Sequence, residues 1–468
     1  MDQTFRDDGV RVLVPAGALG SGVRADELEI GLRLAPHAIA IDAGSTDSGP
    51  SYLATGRSKY SRQSLKRDLA LMMDARRRAG IPLLIGSCGT SGCDMALDWT
   101  AEIVREIAHE QGDSPRIALL YSEQDKAVLK AKAAAGAVRP LAPMGPLAAE
   151  SLDACAHIVA LLGPEPYIAA LEQGADIVLG GRTTDTAALA ATPLMRGAHA
   201  AAAWHAAKIT ECGGLCTTHP THPGVIFSVD AEGFEVAPLA PESACTPYTV
   251  SAHMLYENSD PFRLVEPGGV LDVTEARYQA VSGRMVRVTG SRFETRPYTM
   301  KLEGAGGGPF QTMMLVGIED PKVLEDVDGF VGRMLHALRQ RVRRTLGAEA
   351  DGVDLSIRPY GWNAVSGREV AAGAPPPREI GLLFVATAPT QAMATEAAKI
   401  CNPFFFHFPA REGTELPSYA FPFSPAEIER GQVFEFHLNH VVETATPFEL
   451  VRTRWLDVAE PVETPAHA

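Results

Sequence analysis

One short stretch shows the unit from which the fold is built: residues 174–185 read GADIVLGGRTTD. Gly174 ends a short helical pattern that Pro164 opens, because glycine is typical just beyond a helix and proline at its first turn. The apolar run 175–180 is short and continuous, which is typical of a strand buried in a parallel sheet. Small and polar residues follow at once, so the stretch predicts a helix, a strand and a turn in succession.

The same alternation occupies residues 10–192. A helical pattern begins after Gly92 and stops at Gly112, and another begins at residues 122–125, where the sequence SEQD resembles a capping box. Six strands are predicted, at residues 10–14, 38–42, 81–86, 116–121, 157–162 and 175–180. This order predicts an α/β fold in which a doubly wound, mainly parallel sheet carries helices on both faces.

The regular alternation ends near residue 200, and the remainder is predicted to be an α+β domain. Strands are expected at residues 225–228, 234–239, 284–289, 310–318, 379–386 and 433–439, and helices at 321–346 and 390–399. Because single cores stop growing at roughly 250–300 residues, we expect two domains. These are residues 1–195, which carry the site loops, and residues 196–460, which roof the cleft. Residues 461–468 are expected to be frayed.

Composition excludes several classes of function. The chain has 468 residues, is 46% apolar and carries a formal net charge of −15, which argues against a nucleic-acid surface or an anionic membrane face. The first eight residues contain no apolar segment of a signal peptide, and no run is apolar enough to span a bilayer. The seven scattered cysteines are typical of reduced thiols, so we expect a cytoplasmic protein.

Several motifs together, in their order and spacing, resemble the acyclic terpene utilisation (AtuA) family. They are DAGSTDSGP at 42–50, LGP at 162–164, GADIVLGGRTTD at 174–185, ECGG at 211–214 and the segment 246–261. The resemblance implies a cytoplasmic bacterial protein of organic-acid or branched acyl-CoA catabolism, without implying a reaction. Two features depart from the family pattern: residues 15–20, PAGALG, are poorer in glycine than expected, and the glycine loop 86–92 contains Cys88.

That glycine loop, GSCGTSG, follows a predicted strand and precedes a predicted helix. Its backbone N–H groups, with the side chains of Ser87 and Thr90 and the small Gly89, suit a carboxylate or phosphate, although a tight turn explains the same residues. Cys88 is a candidate nucleophile at a helix N-terminus, and the alternative is a small buried apolar side chain.

Two other strand ends carry polar side chains. After the strand at 175–180, Arg182 offers a bidentate contact to an anion, and Asp185 is either a base or a residue that caps a helix. After the strand at 38–42, Asp42 and Asp47 flank Ser45 and Thr46, a segment that is also good turn chemistry.

A third group lies in the second predicted domain. Cys212, Cys216, His219 and His222 fall within a short segment and are zinc-type ligands, but their spacing is too tight for a standard zinc finger and the prolines between them stiffen the chain. We therefore assign no metal to these residues, although metal binding stays an alternative, and we favour catalytic or substrate contacts from Glu211 or His219.

The carboxyl ends of parallel strands share one sheet edge, so these distant segments are expected to form one cleft. The predicted catalytic residues are Asp47, Asp185 and Cys88, and the predicted substrate-binding residues are Ser45, Thr46, Ser87, Gly89, Thr90, Arg182, Thr183, Glu211 and His219. An arginine clamp with a carboxylate base suits a lyase or hydratase that acts on a small organic acid or acyl-CoA thioester. The alternatives are a cysteine- or metal-dependent hydrolase and a non-catalytic metabolite-binding subunit. The sequence requires no cofactor, and we expect a homo-oligomer with a small anionic substrate.

Overall fold

The computed structural model describes residues 5–45, 48–256, 258–371, 373–456 and 458. The tail at 461–468, predicted to be frayed, lies outside the described residues, as do Thr46 and Asp47. The strands are β1 (Val10–Val14), β2 (Ala38–Gly44), β3 (Leu83–Thr90), β4 (Ile117–Tyr121), β5 (Val138–Pro140), β6 (His157–Ala160), β7 (Ile177–Gly180), β8 (Val225–Val229), β9 (Gly233–Pro238), β10 (Arg263–Glu266), β11 (Gly269–Asp272), β12 (Arg277–Ala280), β13 (Val286–Thr289), β14 (Arg292–Thr295), β15 (Thr299–Ile318), β16 (Asp354–Tyr360), β17 (Ile380–Ala388), β18 (Ile428–Glu443) and β19 (Arg452–Leu456). The helices are α1 (Ala25–Arg33), α2 (Ser51–Thr55), α3 (Arg62–Ala79), α4 (Asp94–Gln111), α5 (Lys126–Ala134), α6 (Ala149–Ala154), α7 (Glu165–Glu172), α8 (Ala187–Met195), α9 (Ala200–Thr210), α10 (Pro247–His253), α11 (Pro321–Leu324), α12 (Val327–Leu346) and α13 (Gln391–Phe405).

The main sheet has the strand order β12-β13-β9-β8-β1-β2-β3-β7-β4-β19. Its centre, β1-β2-β3-β7-β4, is parallel throughout, and β8 and β19 pair antiparallel at either side of that centre. The predicted α/β class with a mainly parallel N-terminal sheet is therefore confirmed.

One of the six predicted N-terminal strands does not belong to this sheet. β6 pairs antiparallel with residues 302–305 of β15 instead of joining its parallel neighbours. A short buried apolar run satisfies its backbone equally well in either sheet, so the pattern of residues 157–162 could not distinguish the two partners.

Both faces of the main sheet are covered. Val12 and Val178 point into a core that includes α8 and α9, whereas their neighbours Leu13 and Leu179 point into a second core with α1, α3 and α4. This alternation follows from the two-residue period of a strand, and burial on both faces explains why the central strands are almost wholly apolar.

The described residues divide into two compact units. Residues up to Gly306, together with those from Phe436, form the first unit, and Gly307–Glu435 forms the second. The boundary predicted near residue 195 lies inside the first unit, because β8, β9, β12 and β13 extend the sheet that begins with β1. In the second unit, β15 and β16 pair antiparallel with β17. There Phe384 and Phe405 pack into a core with α12 and α13.

Among the helices of the described part, none combines the length and the apolar character that a crossing of the bilayer requires.

Candidate functional site

The loops after β3 and β7 are hydrogen-bonded to each other. The Ser87 N–H donates to the Gly181 carbonyl at 3.0 Å, and the Arg182 N–H donates to the Gly92 carbonyl at 3.0 Å. Gly92 has a φ of +63°, and a Cβ at this position would collide with the backbone of Arg182. Glycine is therefore required here by both its conformation and the close approach of the two loops.

The end of β2 reaches the same place. The Ser45 N–H donates to the Thr90 carbonyl at 3.3 Å. A Cβ on Gly44 would meet the guanidinium of Arg182 and the side chain of Ser87. Three segments that are far apart in sequence thus meet at one edge of the sheet, as their positions after parallel strands predict.

A cavity of about 500 Å³ opens at this edge. Its acidic wall comprises Asp42, Asp185 and Glu211, and Arg24, Lys59 and Tyr60 also line it. The loop after β1 contributes Gly17, Ala18, Ser21, Gly22 and Arg24, and the segment that begins at Glu211 contributes several positions up to Pro223. The volume is in the range of small-molecule sites, which span roughly 300–1,000 Å³.

Asp42 lies at the end of β2 and is 5% exposed. Its Oδ2 accepts a hydrogen bond from the Gly44 N–H at 2.9 Å, and its Oδ1 has no partner among the described residues. Burial, together with the charge of Asp185, raises the pKa of the Asp42 carboxyl to about 8 against the opposing effect of Arg182. A carboxyl group in this setting holds its proton at neutral pH.

Arg182 is buried, and two of its three guanidinium nitrogens contact protein groups. Its Nε donates to Glu303 Oε2 at 3.0 Å and its Nη1 to Ser87 Oγ at 3.0 Å, while Asp185 Oδ1 lies 3.5 Å from Nη1. Lys301 Nζ donates to the other oxygen of Glu303 at 2.9 Å. The guanidinium therefore connects the loops after β3 and β7 with the two carboxylates Asp185 and Glu303.

A second group of buried charges surrounds Lys208, which donates to Glu211 Oε1. The carboxylates of Asp185 and Glu266 also act on this group electrostatically. Burial raises the pKa of Glu266 to about 7, and it lowers the pKa of His253 to about 4 with help from Lys208. No sequence motif indicates four of these buried residues, Lys208, His253, Glu266 and Glu303, because none of them follows a strand of the parallel sheet.

The loop after β3 contributes structure more than chemistry. Cys88 is fully buried, and burial raises the pKa of its thiol far above the usual value, which disfavours the thiolate that a nucleophile requires. Ser87 and Thr90 have left-handed φ values of +51° and +79°, which are strained for residues with a Cβ. Thr90 Oγ1 accepts from the Lys59 N–H at 3.0 Å and so fixes the backbone of a residue at the cavity.

The remaining predicted residues have different positions. Thr183 is buried and donates from Oγ1 to the Gly181 carbonyl at 2.9 Å, and Gly89 packs against Ala96 of α4. His219 is exposed and is not part of the cavity wall.

Cys212, Cys216, His219 and His222 do not form a metal cluster. The His222 ring lies 3.1 Å from Glu27 and 3.0 Å from Glu242, and the Cys216 thiol lies 3.5 Å from the Gly213 carbonyl. Two other groups of metal-ligand side chains do converge in the described part of the chain: Glu211, Cys212 and His253, and separately Cys93, Glu123 and His157.

The fold and this site together define an α/β protein with a carboxylate-rich cavity at the strand ends of a mainly parallel sheet. The chain belongs to the acyclic terpene utilisation family AtuA, whose sequence model matches residues 53–420. The family suggested by the motifs is thus confirmed, and the matched range includes Arg182, Asp185, Lys208 and Glu211 but begins after Asp42. A search of curated proteins and one of solved structures gave no significant match.

Proposed function

We propose that the protein is a catabolic enzyme that adds water to, or removes it from, a small organic acid or the acyl part of its CoA thioester. The family is described by its part in acyclic terpene utilisation, which agrees with a catabolic role. The observation that carries the proposal is a pair of carboxyl groups, Asp42 and Asp185, which line one cavity in two different environments.

The two environments suit two roles. Asp42 is buried, with a pKa of about 8, and is therefore the general acid. Asp185 is 42% exposed at the side chain, faces the cavity and lies 3.5 Å from the Arg182 guanidinium, so it is the general base. In dehydration of a hydroxy acid, Asp185 takes the proton from the carbon beside the carbonyl, and Asp42 gives its proton to the departing hydroxyl.

Lys59 is the group best placed to hold the substrate carboxylate or thioester. It lines the cavity, its backbone is fixed by Thr90, and its ammonium has no ion-pair partner among the described residues. Arg24, the other cation of the wall, already pairs with Asp26 and Glu27. Arg182 serves in this scheme as a positioning residue, because its donors are directed to Glu303, Ser87 and Asp185.

The test is incubation of the protein in D₂O with a panel of hydroxy acids, unsaturated acids and their CoA thioesters, followed by mass spectrometry. We expect one substrate to change by the mass of one water and to incorporate deuterium next to its carbonyl. Asp42→Asn and Asp185→Asn are expected to lower kcat at least ~100-fold, in line with the contribution of general acid–base groups. Asp153→Asn, an exposed carboxylate that pairs with Lys130, is the matched control and should leave kcat unchanged.

Saturable binding of a panel member without any mass change or exchange would contradict the proposal and would favour a metabolite-binding subunit. Loss of activity on thiol alkylation would instead favour a hydrolase.

A further inference from the structure

Three metal-ligand side chains converge beside the cavity, and the proposed proton transfer uses none of them. Glu211 and Cys212 follow directly after α9, and His253 is the last residue of α10. One ligand atom from each of the three lies within 4.8 Å of the other two. A tetrahedral zinc ion with bonds of about 2.0–2.3 Å holds its ligand atoms roughly 3.5 Å apart, so small side-chain rotations bring this set onto one ion.

His253 supplies an independent sign of a missing ligand. The residue is 5% exposed, and its Nε2 is buried with no hydrogen-bond partner among the described residues. A buried imidazole nitrogen without a partner is costly, and native proteins almost always satisfy such groups. A bound cation that Nε2 ligates removes this cost.

Carboxyl groups gather at this site. Those of Asp185, Glu211 and Glu266 lie close enough to Lys208 to interact with it electrostatically. Lys208 donates to only one oxygen of Glu211, Oε1. The second oxygen of that carboxylate is the one that suits a metal.

The other converging group, Cys93, Glu123 and His157, lacks these features. Glu123 Oε1 already lies 2.6 Å from His157 Nδ1, and Glu123 Oε2 accepts from the Asp94 N–H at 2.8 Å. None of the three side chains belongs to the wall of the cavity. In this group the Glu123 oxygens and His157 Nδ1 are therefore already satisfied by contacts within the protein.

We infer that Glu211, Cys212 and His253 bind a divalent metal ion of the zinc class, with a fourth coordination position open to the cavity. Carboxylate oxygen, thiolate sulfur and imidazole nitrogen are the ligands that zinc takes in proteins, and sites with three protein ligands leave one position for water or substrate. Glu211 and Cys212 line the cavity, so that position faces the space in which a substrate binds. The inference goes beyond the proposed proton transfer and does not depend on it.

The test uses the full-length protein, stripped of metal by a chelator and titrated with Zn²⁺ in equilibrium dialysis, with the bound ion counted by mass spectrometry. We expect one equivalent of zinc per chain. Co²⁺ in the same site should give a sulfur-to-cobalt charge-transfer band in the near ultraviolet. Cys212→Ser should abolish this band, and both Cys212→Ser and His253→Gln should weaken Zn²⁺ binding at least ~10-fold, the loss typical when a metal site is damaged.

The matched controls are Cys93→Ser and His157→Gln, which change the same residue types in the other converging group and should bind Zn²⁺ like the wild type. Circular dichroism checks that each variant is folded, and the His253 variant decides the matter if the Cys212 variant is not. Absence of stoichiometric binding, or binding that only the Cys93 and His157 variants lose, would overturn the inference. Asp42→Asn should bind Zn²⁺ normally, so the metal site and the proposed proton transfer can fail separately.

Discussion

The carboxyl group of Asp42 is buried, and burial disfavours its charged form. The stability of the fold therefore depends on pH. An unperturbed aspartate has a pKa of 3.8, whereas Asp42 in the folded protein has a pKa of about 8. Between these values the folded protein keeps a proton that the unfolded chain has released. The free energy of unfolding therefore falls as the pH rises through this window, by at most about 1.4 kcal/mol per pH unit.

Asp42→Asn removes this dependence, because the amide does not titrate and resembles the protonated carboxyl in shape. We expect the variant to be more stable than the wild type at pH 8, with a difference that shrinks as the pH falls towards 5. Urea denaturation at several pH values measures the effect, with exposed Asp153→Asn as the control. A difference that does not vary with pH would show that the carboxyl of Asp42 titrates normally.

The guanidinium of Arg182 compensates the charge of a buried carboxylate, Glu303. Removal of the guanidinium leaves the buried carboxylate of Glu303 with Lys301 as its one cationic partner among the described residues, so Arg182→Ala should destabilise the fold by about 3 kcal/mol. The measurement is the midpoint of urea unfolding. Adding Glu303→Gln to the first change should restore part of the loss, because the unpaired charge is gone.

The control is Arg77→Ala, which breaks an exposed pair with Asp74 and should cost less than about 1 kcal/mol. If Arg182→Ala changed stability no more than Arg77→Ala but weakened substrate binding, the guanidinium would be a substrate clamp, as the sequence suggests.

Residue types and strand ends indicated part of the site from the sequence. The sequence positions of Ser45, Arg182, Asp185 and Glu211 predict a shared site, and the four residues lie at one cavity or beside it. Chemical state could not be predicted in the same way, because the pKa of a group such as Glu266 depends on burial and on charges from distant segments. The same holds for Arg182, whose Nε donates to Glu303, a residue 121 positions away.

The loop after β1 is positioned by a side chain from helix α3. The buried carboxylate of Asp68 accepts from the N–H groups of Gly20, Gly22 and Val23, each at 3.0 Å. This loop is poorer in glycine than the family pattern, yet it lines the cavity. The three hydrogen bonds to Asp68 therefore hold the loop in the conformation in which it lines the cavity.

Asp68→Asn should release the loop, because the amide nitrogen cannot accept a hydrogen bond and would face backbone donors. We expect a loss of about 2 kcal/mol or more, since each buried donor left unsatisfied costs about 1–3 kcal/mol. KM should rise more than kcat falls, because the loop contacts substrate without carrying the proton transfer. Asp74→Asn, an exposed carboxylate on the same helix, is the control. Equal stability of the two variants would contradict this role.

The elements themselves were largely predictable where the local pattern was unambiguous. Helix α4 ends at Gly112 in a left-handed conformation, and α7 is followed by Gly174, both as the sequence indicates. The errors occur where several patterns fit. The N-cap of α5 is Asp125 rather than Ser122, and the helix predicted at 321–346 is broken at Asp326, whose side chain caps α12.

The whole molecule carries a net charge of −15, and this affects how an anionic substrate is bound. Long-range electrostatic attraction cannot gather anions on such a surface, so binding depends on a local cation. In the proposed site this local cation is Lys59. Because binding does not rely on long-range attraction, KM should depend only weakly on ionic strength.

The whole chain also suggests self-association. Large apolar side chains are unusually exposed within residues 248–265: Tyr248 is 79% exposed, Leu255 70% and Val265 76%. Exposed apolar surface of this kind often marks an interface between copies of a chain, and most oligomers are symmetric homo-oligomers. We therefore predict that the 49.8 kDa chain forms a dimer or a larger assembly in light scattering coupled to gel filtration.

Val265→Glu should shift the assembly towards the monomer, because it places a charge in the contact. Val365→Glu, at a position that is 91% exposed in the second unit, makes the same chemical change elsewhere and should leave the mass unchanged. A single wild-type species of 49.8 kDa at high protein concentration would refute self-association.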